Sequence, residues 1–446
     1  MAEVLHRVSI RKLGPVRECE IEIKQFNVFT GPQSSGKSTI AKAIYYARSM
    51  KQDILNIMMQ GGPAGYIGNK SERWLSTMQQ FMRDKFLQIF GTSWIMPEDM
   101  ELRYTFEEEK DIHVLLKEDK YNSGKNYIYI EFGNGIVEYF YELDRRTVPE
   151  PTAEQMEAER KILSRVLNDP YETVYIPAGR SLITLLSDQL NYIFLNNAQM
   201  RTIDYVTKKF IENILRIKPI FSHGMEGYLE EIKNAPELCR KYVENRPVIN
   251  LLIDCVKKVV QGSYRYVDGE ERLYLDEKKY VKISFVSSGQ QEIVWVFNLL
   301  FYYLANDKRV FVILEEPESH LYPDSQRLTG EFLGAFLNSG RNAILVTTHS
   351  PYLLGTFNYM LQAGQCSRVT PAAERVKKVL RKRLWLVTDE VKAYFINGHK
   401  IENALDEEDA ELILIRNELI DEASEKINEI SDFIMEQIWD VEESDD

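Results

Sequence analysis

Gly31-Pro32-Gln33-Ser34-Ser35-Gly36-Lys37-Ser38 fits the phosphate-loop pattern of glycine, four residues, then glycine, lysine and a hydroxyl residue. Its neighbours decide what that means. Before it, the alternating Cys19-Glu20-Ile21-Glu22-Ile23 and the apolar Phe26-Asn27-Val28-Phe29 read as strands. After it, the stretch from Ser38 and Thr39 to Tyr46 sets Ile40, Ala43 and Ile44 at helical spacing. A strand, a glycine loop and a helix in this order leave backbone N–H groups free to wrap phosphate oxygens at the helix N-terminus. Lys37 is then placed to neutralise the β and γ phosphates, and Ser38 to hold Mg²⁺.

Two later stretches belong to the same site. Val310-Phe311-Val312-Ile313-Leu314 is an apolar strand ending in Glu315 and Glu316, and an open α/β sheet carries its chemistry outside the carboxyl ends of its strands. Glu315 is expected to bind Mg²⁺ through its water shell, and Glu316 to orient or deprotonate the attacking water. Ser287-Ser288-Gly289-Gln290 opens an apolar helix, Gln291 to Leu300. Such a loop offers a serine hydroxyl and backbone amides to a phosphate that its own subunit cannot bring to it, so the site is expected to be shared between two copies.

In these three stretches the chain resembles an ATP-binding-cassette ATPase of the head-domain branch. That branch holds the chromosome-maintenance and double-strand-break-repair heads and the overcoming-lysogenization-defect proteins, which it resembles most. Val286 to Gln290 is similar to the signature loop, with Ser288 where transporters usually carry glycine, and Glu315-Glu316-Pro317-Glu318-Ser319-His320-Leu321-Tyr322-Pro323 to the acidic segment. Two departures stand out. Glu315 replaces the usual aspartate, and Tyr322 replaces a second histidine. The resemblance implies ATP and Mg²⁺ as cofactors and His349, in Thr347-Thr348-His349-Ser350-Pro351, as the switch that senses the γ-phosphate. It implies Glu318, Ser319 and His320 as a loop crossing the dimer, and Arg180, in Ile176-Pro177-Ala178-Gly179-Arg180, as a residue contacting phosphate or organising the dimer. The metal-touching glutamine of the branch is not assigned: Gln33 lies inside the phosphate loop and Gln189 matches only by rough position.

Composition narrows the class. At 446 residues and 44% apolar, the chain is long enough for one large head with insertions or for two domains. No apolar run approaches the roughly 20 residues of a spanning helix, and the start does not read as a signal peptide, so a cytoplasmic protein with no membrane partner is expected. Cys19, Cys239, Cys255 and Cys366 lack paired spacing, which points to neither disulfides nor zinc. A net charge of −13 argues against a coat for nonspecific nucleic-acid binding. Nucleic acid stays possible only through local patches: Arg375 to Arg383, read as a helix burying Val376, Val379 and Leu380, and a weaker group of Lys208, Lys209, Arg216 and Lys218.

The expected fold is an α/β P-loop head, a mixed-sheet core with an antiparallel meander and a helical insertion. Residues 1–181 form a first lobe, with helices over 46–94 and 153–168 and a meander from Glu101 to Leu143 that includes Val137 to Tyr141 as a strand. Residues 182–260 form a helical insertion or short arm, since about 80 residues at roughly 1.5 Å each cannot make a very long coiled coil. Residues 261–387 form the second lobe, entered by a hairpin over 262–275. Residues 388–446 give a strand and an acidic helical tail; two strands are expected in this region, Leu384–Val387 and Val391–Ile396. Fewer than about 100 residues follow His349, short for the Toprim nuclease domain of the overcoming-lysogenization-defect proteins, and Asp406 to Asp409 reads as surface charge.

The resulting expectation is a dimeric or higher homo-oligomeric switch ATPase of an antiphage system, controlling a separate effector such as a nuclease or toxin. The alternative is a DNA-repair or recombination head that binds DNA directly. A transporter subunit lacks support because the Leu-Ser-Gly-Gly-Gln signature is absent, and a slowly hydrolysing scaffold remains a further reading.

Overall fold

In the computed structural model of the chain the described residues are 6–63, 73–91, 96–119, 126–146, 150–181, 203–234, 236–340, 342–366, 370–398, 400–406 and 412–416. The expected glutamine candidate Gln189 and the acidic tail past 416 lie outside them, as do Glu407 to Asp409.

The chain opens with a hairpin of β1 (His6–Leu13) and β2 (Val16–Ile23), followed by β3 (Phe26–Thr30) and α1 (Lys37–Arg48). Next come α2 (Met50–Met59), α3 (Arg73–Phe90) and the meander β4 (Glu101–Glu107), β5 (Lys110–Glu118) and β6 (Asn126–Phe132). Helices α4 (Asn134–Arg146) and α5 (Ala153–Val166) lead to β7 (Glu172–Ile176). The central helices are α6 (Tyr205–Ile217), α7 (Gly224–Lys233) and α8 (Pro236–Val260). Three strands, β8 (Ser263–Val267), β9 (Glu270–Tyr274) and β10 (Tyr280–Lys282), precede α9 (Ser288–Ala305). Then follow β11 (Val310–Glu315), α10 (Pro323–Gly340), β12 (Ala343–Thr347), α11 (Pro351–Cys366) and α12 (Thr370–Val376). The described part closes with β13 (Val391–Ile396), β14 (Ile401–Asn403) and the short pair β15 (Leu405–Asp406) and β16 (Leu414–Ile415).

Two sheets carry the site. The six-stranded sheet runs β14-β13-β3-β12-β11-β7, parallel from β13 to β7. Its strands β3, β11 and β12 are buried at every residue, the continuous apolar pattern of a parallel sheet covered on both faces. The second sheet, β2-β1-β4-β5-β6, is antiparallel, and β1 alternates buried and exposed residues because one face meets solvent. Tyr394 of β13 ties the sheets together, its hydroxyl accepting from Glu22 N at 3.0 Å and donating to Glu22 O at 3.1 Å. At the end of α1 far from Lys37, a buried polar knot forms: Arg48 reaches His6 Nδ1 at 2.6 Å and Asp169 Oδ1 at 2.8 Å.

Several sequence expectations change. Val137 to Tyr141 is the middle of α4, because Ile136, Tyr139, Phe140 and Leu143 bury one helical face, so the meander ends at Phe132. Leu384–Val387 forms no strand: Lys382–Leu384 is a 3₁₀ turn, and the Asn338 side chain donates to Arg383 O within it and to Trp385 O just after it. The basic run does not form one amphipathic helix. Helix α12 ends at Val376, and Val379, expected on a buried face, is 91% exposed. Lys218 is no free cation, since it is buried in an ion pair with Glu271. The described central helices lie in the body: Phe210, Ile211, Ile214, Leu252 and Val256 share one apolar core with Val312 of β11 and Phe297 of α9.

Candidate nucleotide site

Strand β3 delivers the chain into the loop, and two of its glycines are set by geometry. Gly31 has φ 133° and Gly36 φ 106°, conformations that side-chain-bearing residues rarely adopt. A Cβ on Gly31 would lie 2.1 Å from Ile396 O of β13, and one on Gly36 would lie 2.6 Å from Val16 Cγ2. Gly36 caps α1, whose first-turn N–H groups have no intrahelical acceptor and are available to an anion. A cleft of about 430 Å³ opens here, walled by Pro15, Gln33 to Thr39, Glu316 and His349. The expected loop residues Gln33 to Thr39, Lys37 and Ser38 among them, therefore meet Glu316 and His349 in one place.

The Lys37 ammonium donates to Gly31 O at 3.0 Å, Pro32 O at 2.7 Å and Ser35 Oγ at 3.3 Å. Burial pushes its pKa down to about 8, against the opposing pull of Glu316, Glu318 and Glu315. Glu316 holds a left-handed φ of 42°, strained for a residue with a side chain. Its backbone is pinned on both sides: its N–H donates to Thr347 O at 2.9 Å, and its carbonyl accepts from Arg180 at 3.0 Å. One carboxylate oxygen accepts from Ser319 Oγ at 3.3 Å, and the other lies 3.7 Å from His349 Nε2. His349 is half-buried, and burial with the nearby Lys37 charge lowers its pKa, so the imidazole is neutral at pH 7.

Glu315 sits behind the cleft wall and is buried. Its Oε2 accepts from Ala178 N at 3.2 Å, while Oε1 is buried and makes no hydrogen bond. The neighbouring Tyr175 phenol stays protonated, its pKa raised by burial and by that carboxylate. A carboxylate oxygen with unspent acceptor capacity, at the end of a strand that β12 separates from the loop-bearing β3, suits a hard cation such as Mg²⁺, which prefers oxygen ligands. Among the described residues no cluster of three or more His, Cys, Asp or Glu side chains forms an all-protein metal cage.

The acidic segment is used differently from the expectation. Glu318 turns into its own chain: Oε1 accepts from Thr348 Oγ1 at 2.6 Å and from His349 N at 2.8 Å. Burial raises its pKa. His320 is exposed with φ 61°, and Tyr322 beside it is 77% exposed. Ser287 caps α9 in a reciprocal box with Gln290: its hydroxyl donates to Gln290 Oε1 at 3.0 Å, and its N–H donates to the same oxygen at 3.0 Å. Ser287 and Ser288 are exposed, and none of Ser287, Ser288, Gly289 and Gln290 lines the cleft of its own chain. Gly289 is packed beneath the acidic segment, where a Cβ would lie 2.5 Å from His320 O.

Arg180 departs most from its reading. It is wholly buried, outside the cleft wall, and paired with the equally buried Glu292 of α9. Glu292 and Thr348 were not singled out in the sequence; a lone glutamate inside the apolar run of α9 was the available signal.

A phosphate loop on a strand inside a parallel sheet, an acidic pair ending another strand and a histidine after a third define a P-loop ATPase. The chain belongs to the AAA ATPase domain family (AAA_15), matched over residues 4–354, and it is an ATPase. No curated protein matches it. Similar solved structures include an Smc head bound to the C-winged helix domain of ScpA, at 12% identity and TM-score 0.42, covering 92% of this chain and 99% of that one. The SMC head domain from Thermotoga maritima is 14% identical with TM-score 0.34, covering 90% and 98%. An Smc head with an extended coiled coil bound to the C-terminal domain of ScpA, derived from Pyrococcus furiosus, is 12% identical with TM-score 0.36, covering 96% and 99%. Among the described residues no helix is long and apolar enough to cross a membrane.

Proposed function

We propose that the chain is a dimerising switch in which ATP closes two copies face to face and hydrolysis reopens them. The observation that carries this is the separation within one chain: Lys37, Ser38, Glu316 and His349 wall the cleft, whereas exposed Ser287 and Ser288 stand outside it. A second copy supplies what is missing. Phe285 and Tyr322, 78% and 77% exposed beside the signature and acidic loops, and Tyr352, 56% exposed after His349, are large apolar groups that such closure would cover.

In the closed state the loop amides and Lys37 bind the β and γ phosphates, and Glu316 takes a proton from the attacking water. The water oxygen bonds to the γ-phosphorus as the bridging β–γ oxygen bond breaks, releasing ADP and phosphate. Ser38 and Glu315 are the residues that would hold Mg²⁺, which neutralises charge on the phosphate oxygens. Neutral His349 donates towards the γ-phosphate, held in place by Glu318.

The biological role we propose is the sensor or regulatory part of a bacterial antiphage system acting on a separate effector, a nuclease or toxin. It rests on the resemblance of the phosphate loop, signature and acidic segments. Light scattering of Glu316→Gln with ATP and Mg²⁺ tests the switch: a stable dimer is expected, lost in Ser287→Arg, and a monomer with bound ATP overturns the shared site. Phage plaque counts with the chain expressed beside its neighbouring genes test the role. Equal counts for wild type and Lys37→Ala overturn it.

A further inference from the structure

Arg180 and Glu292 bring three segments to one point. The guanidinium donates to Pro177 O and Glu315 O, both at 2.7 Å, to Glu316 O at 3.0 Å and to Glu292 O at 3.0 Å. The Glu292 carboxylate accepts in return from Arg180 N and Ser181 N, each at 2.9 Å. So the turn after β7, the end of β11 and the second turn of α9 are tied by one ion pair that water does not reach. A lysine has neither the planar fork nor the number of donors to replace it.

A second joint lies nearby. Gly289, in the first turn of α9, packs against the His320 carbonyl, so the helix meets the acidic segment directly, after Glu316, and reaches Glu315 and Glu316 through Arg180. Glu316 itself has little freedom, with its N–H on Thr347 and its carbonyl on Arg180. A shift of Glu316 as its own site closes must carry the start of α9 with it, because packed, hydrogen-bonded elements move as units.

We propose that Arg180 and Glu292 are positioning residues that weld the catalytic loop to the signature helix of the same protomer. Occupancy of one nucleotide site then sets the loop lent to the other. This rests on the shared-site reading above. Neither residue touches ATP; they act through Glu316 on one side and Ser287 to Gln290 on the other.

The primary test is steady-state ATP hydrolysis by the full chain as wild type, Glu292→Gln and Arg180→Lys, with thermal melting as the folding control. Wild type is expected to show a Hill coefficient of about 2 for ATP, the limit for two coupled sites, falling to about 1 in both variants. The affinity of the phosphate loop for a fluorescent ATP analogue is expected to stay within about twofold, far below a coupling of roughly 5–150-fold. Variants that melt like wild type and keep its Hill coefficient overturn the proposal, as does a wild-type coefficient of 1 in a confirmed dimer.

Hydrogen exchange on the wild-type chain, diluted until light scattering gives a monomer, covers the case in which the variants do not fold. ATP is expected to slow exchange at 31–39 and, through the weld, at 288–292. Protection confined to 31–39 overturns the proposal without involving the dimer. Failure of Glu316→Gln to dimerise, with protection still spreading to 288–292, overturns the shared site and leaves the weld standing.

Discussion

Glu318 offers a test that separates geometry from charge. Its Oε1 holds two donors, the Thr348 hydroxyl and the His349 N–H, at 2.6 and 2.8 Å. Glu318→Ala strands both, and a buried donor left unpaired costs about 1–3 kcal/mol. Relief of a carboxylate whose second oxygen is buried without a partner offsets part of this, leaving a loss of about 2–4 kcal/mol. At an unfolding entropy of about 2.1 cal/mol/K per residue, a 446-residue chain melting as one unit shifts by about 1 °C per kcal/mol, so Tm should fall by about 2–4 °C. The effect on catalysis is larger, because the freed His349 no longer faces the γ-phosphate: kcat should fall on the order of 10²-fold. Glu318→Gln keeps a carbonyl oxygen that accepts both donors, and it should hydrolyse ATP within about threefold of wild type if geometry is what matters. Calorimetry and a coupled phosphate-release assay on the three proteins decide. If the glutamine variant is as slow as the alanine one, the negative charge does the work and the positioning argument fails; if Glu318→Ala turns over like wild type, the residue is not part of the machinery.

Other outcomes follow from the same geometry. Glu316→Gln should bind ATP normally yet lose about 10²–10⁴ in kcat, measured by single-turnover phosphate release, whereas wild-type turnover would remove Glu316 as the base. Lys37 should be protonated to hold phosphate. Because its pKa is pushed down to about 8, KM for ATP is expected to rise above pH 8, approaching tenfold per pH unit, while kcat stays flat. Gly289→Ala places a methyl 2.5 Å from a backbone carbonyl and should cost about 1–3 kcal/mol by denaturant titration; an unchanged midpoint would show that the helix start is not tightly held. His6, buried with its pKa lowered to about 4, binds its proton in the unfolded chain first. Stability should therefore be complete above pH 6.5 and decline by about 3 kcal/mol as pH falls towards 4, a limb that His6→Gln abolishes in pH-dependent melting.

The nucleotide cleft was legible because its residues are forced by chemistry at short range. Gly31 to Ser38, the acidic end of β11 and the histidine after β12 are each recognisable from a few adjacent residues, although the three segments lie far apart in the chain. What stayed hidden was long-range. Val137 to Tyr141 alternates like a strand in sequence, yet Ile136, Tyr139, Phe140 and Leu143 bury a helical stripe that only the neighbouring α3 and β5 could select. The role of Arg180 inside its own chain is invisible in its neighbourhood because its partner, Glu292, is 112 residues away. Glu318 was read as facing another subunit because nothing local announces its bond to Thr348 and His349, 30 and 31 residues on. Val379 was placed on a buried face by spacing alone, and no core lies opposite it.

The order of strands has a bearing on how the protein is made. Strand β3, which feeds the phosphate loop, is flanked by β12 on one side and by β13 on the other, and the first glycine of the loop rests against Ile396 of β13. A ribosome making about 5–20 residues per second needs roughly 20–70 s to travel from Thr30 to Val391. For that interval the nascent chain holds its loop sequence but lacks the wall that shapes it. Nucleotide capture is thereby deferred until Val391 to Ile396 has been made, and products that stop before it are born without it.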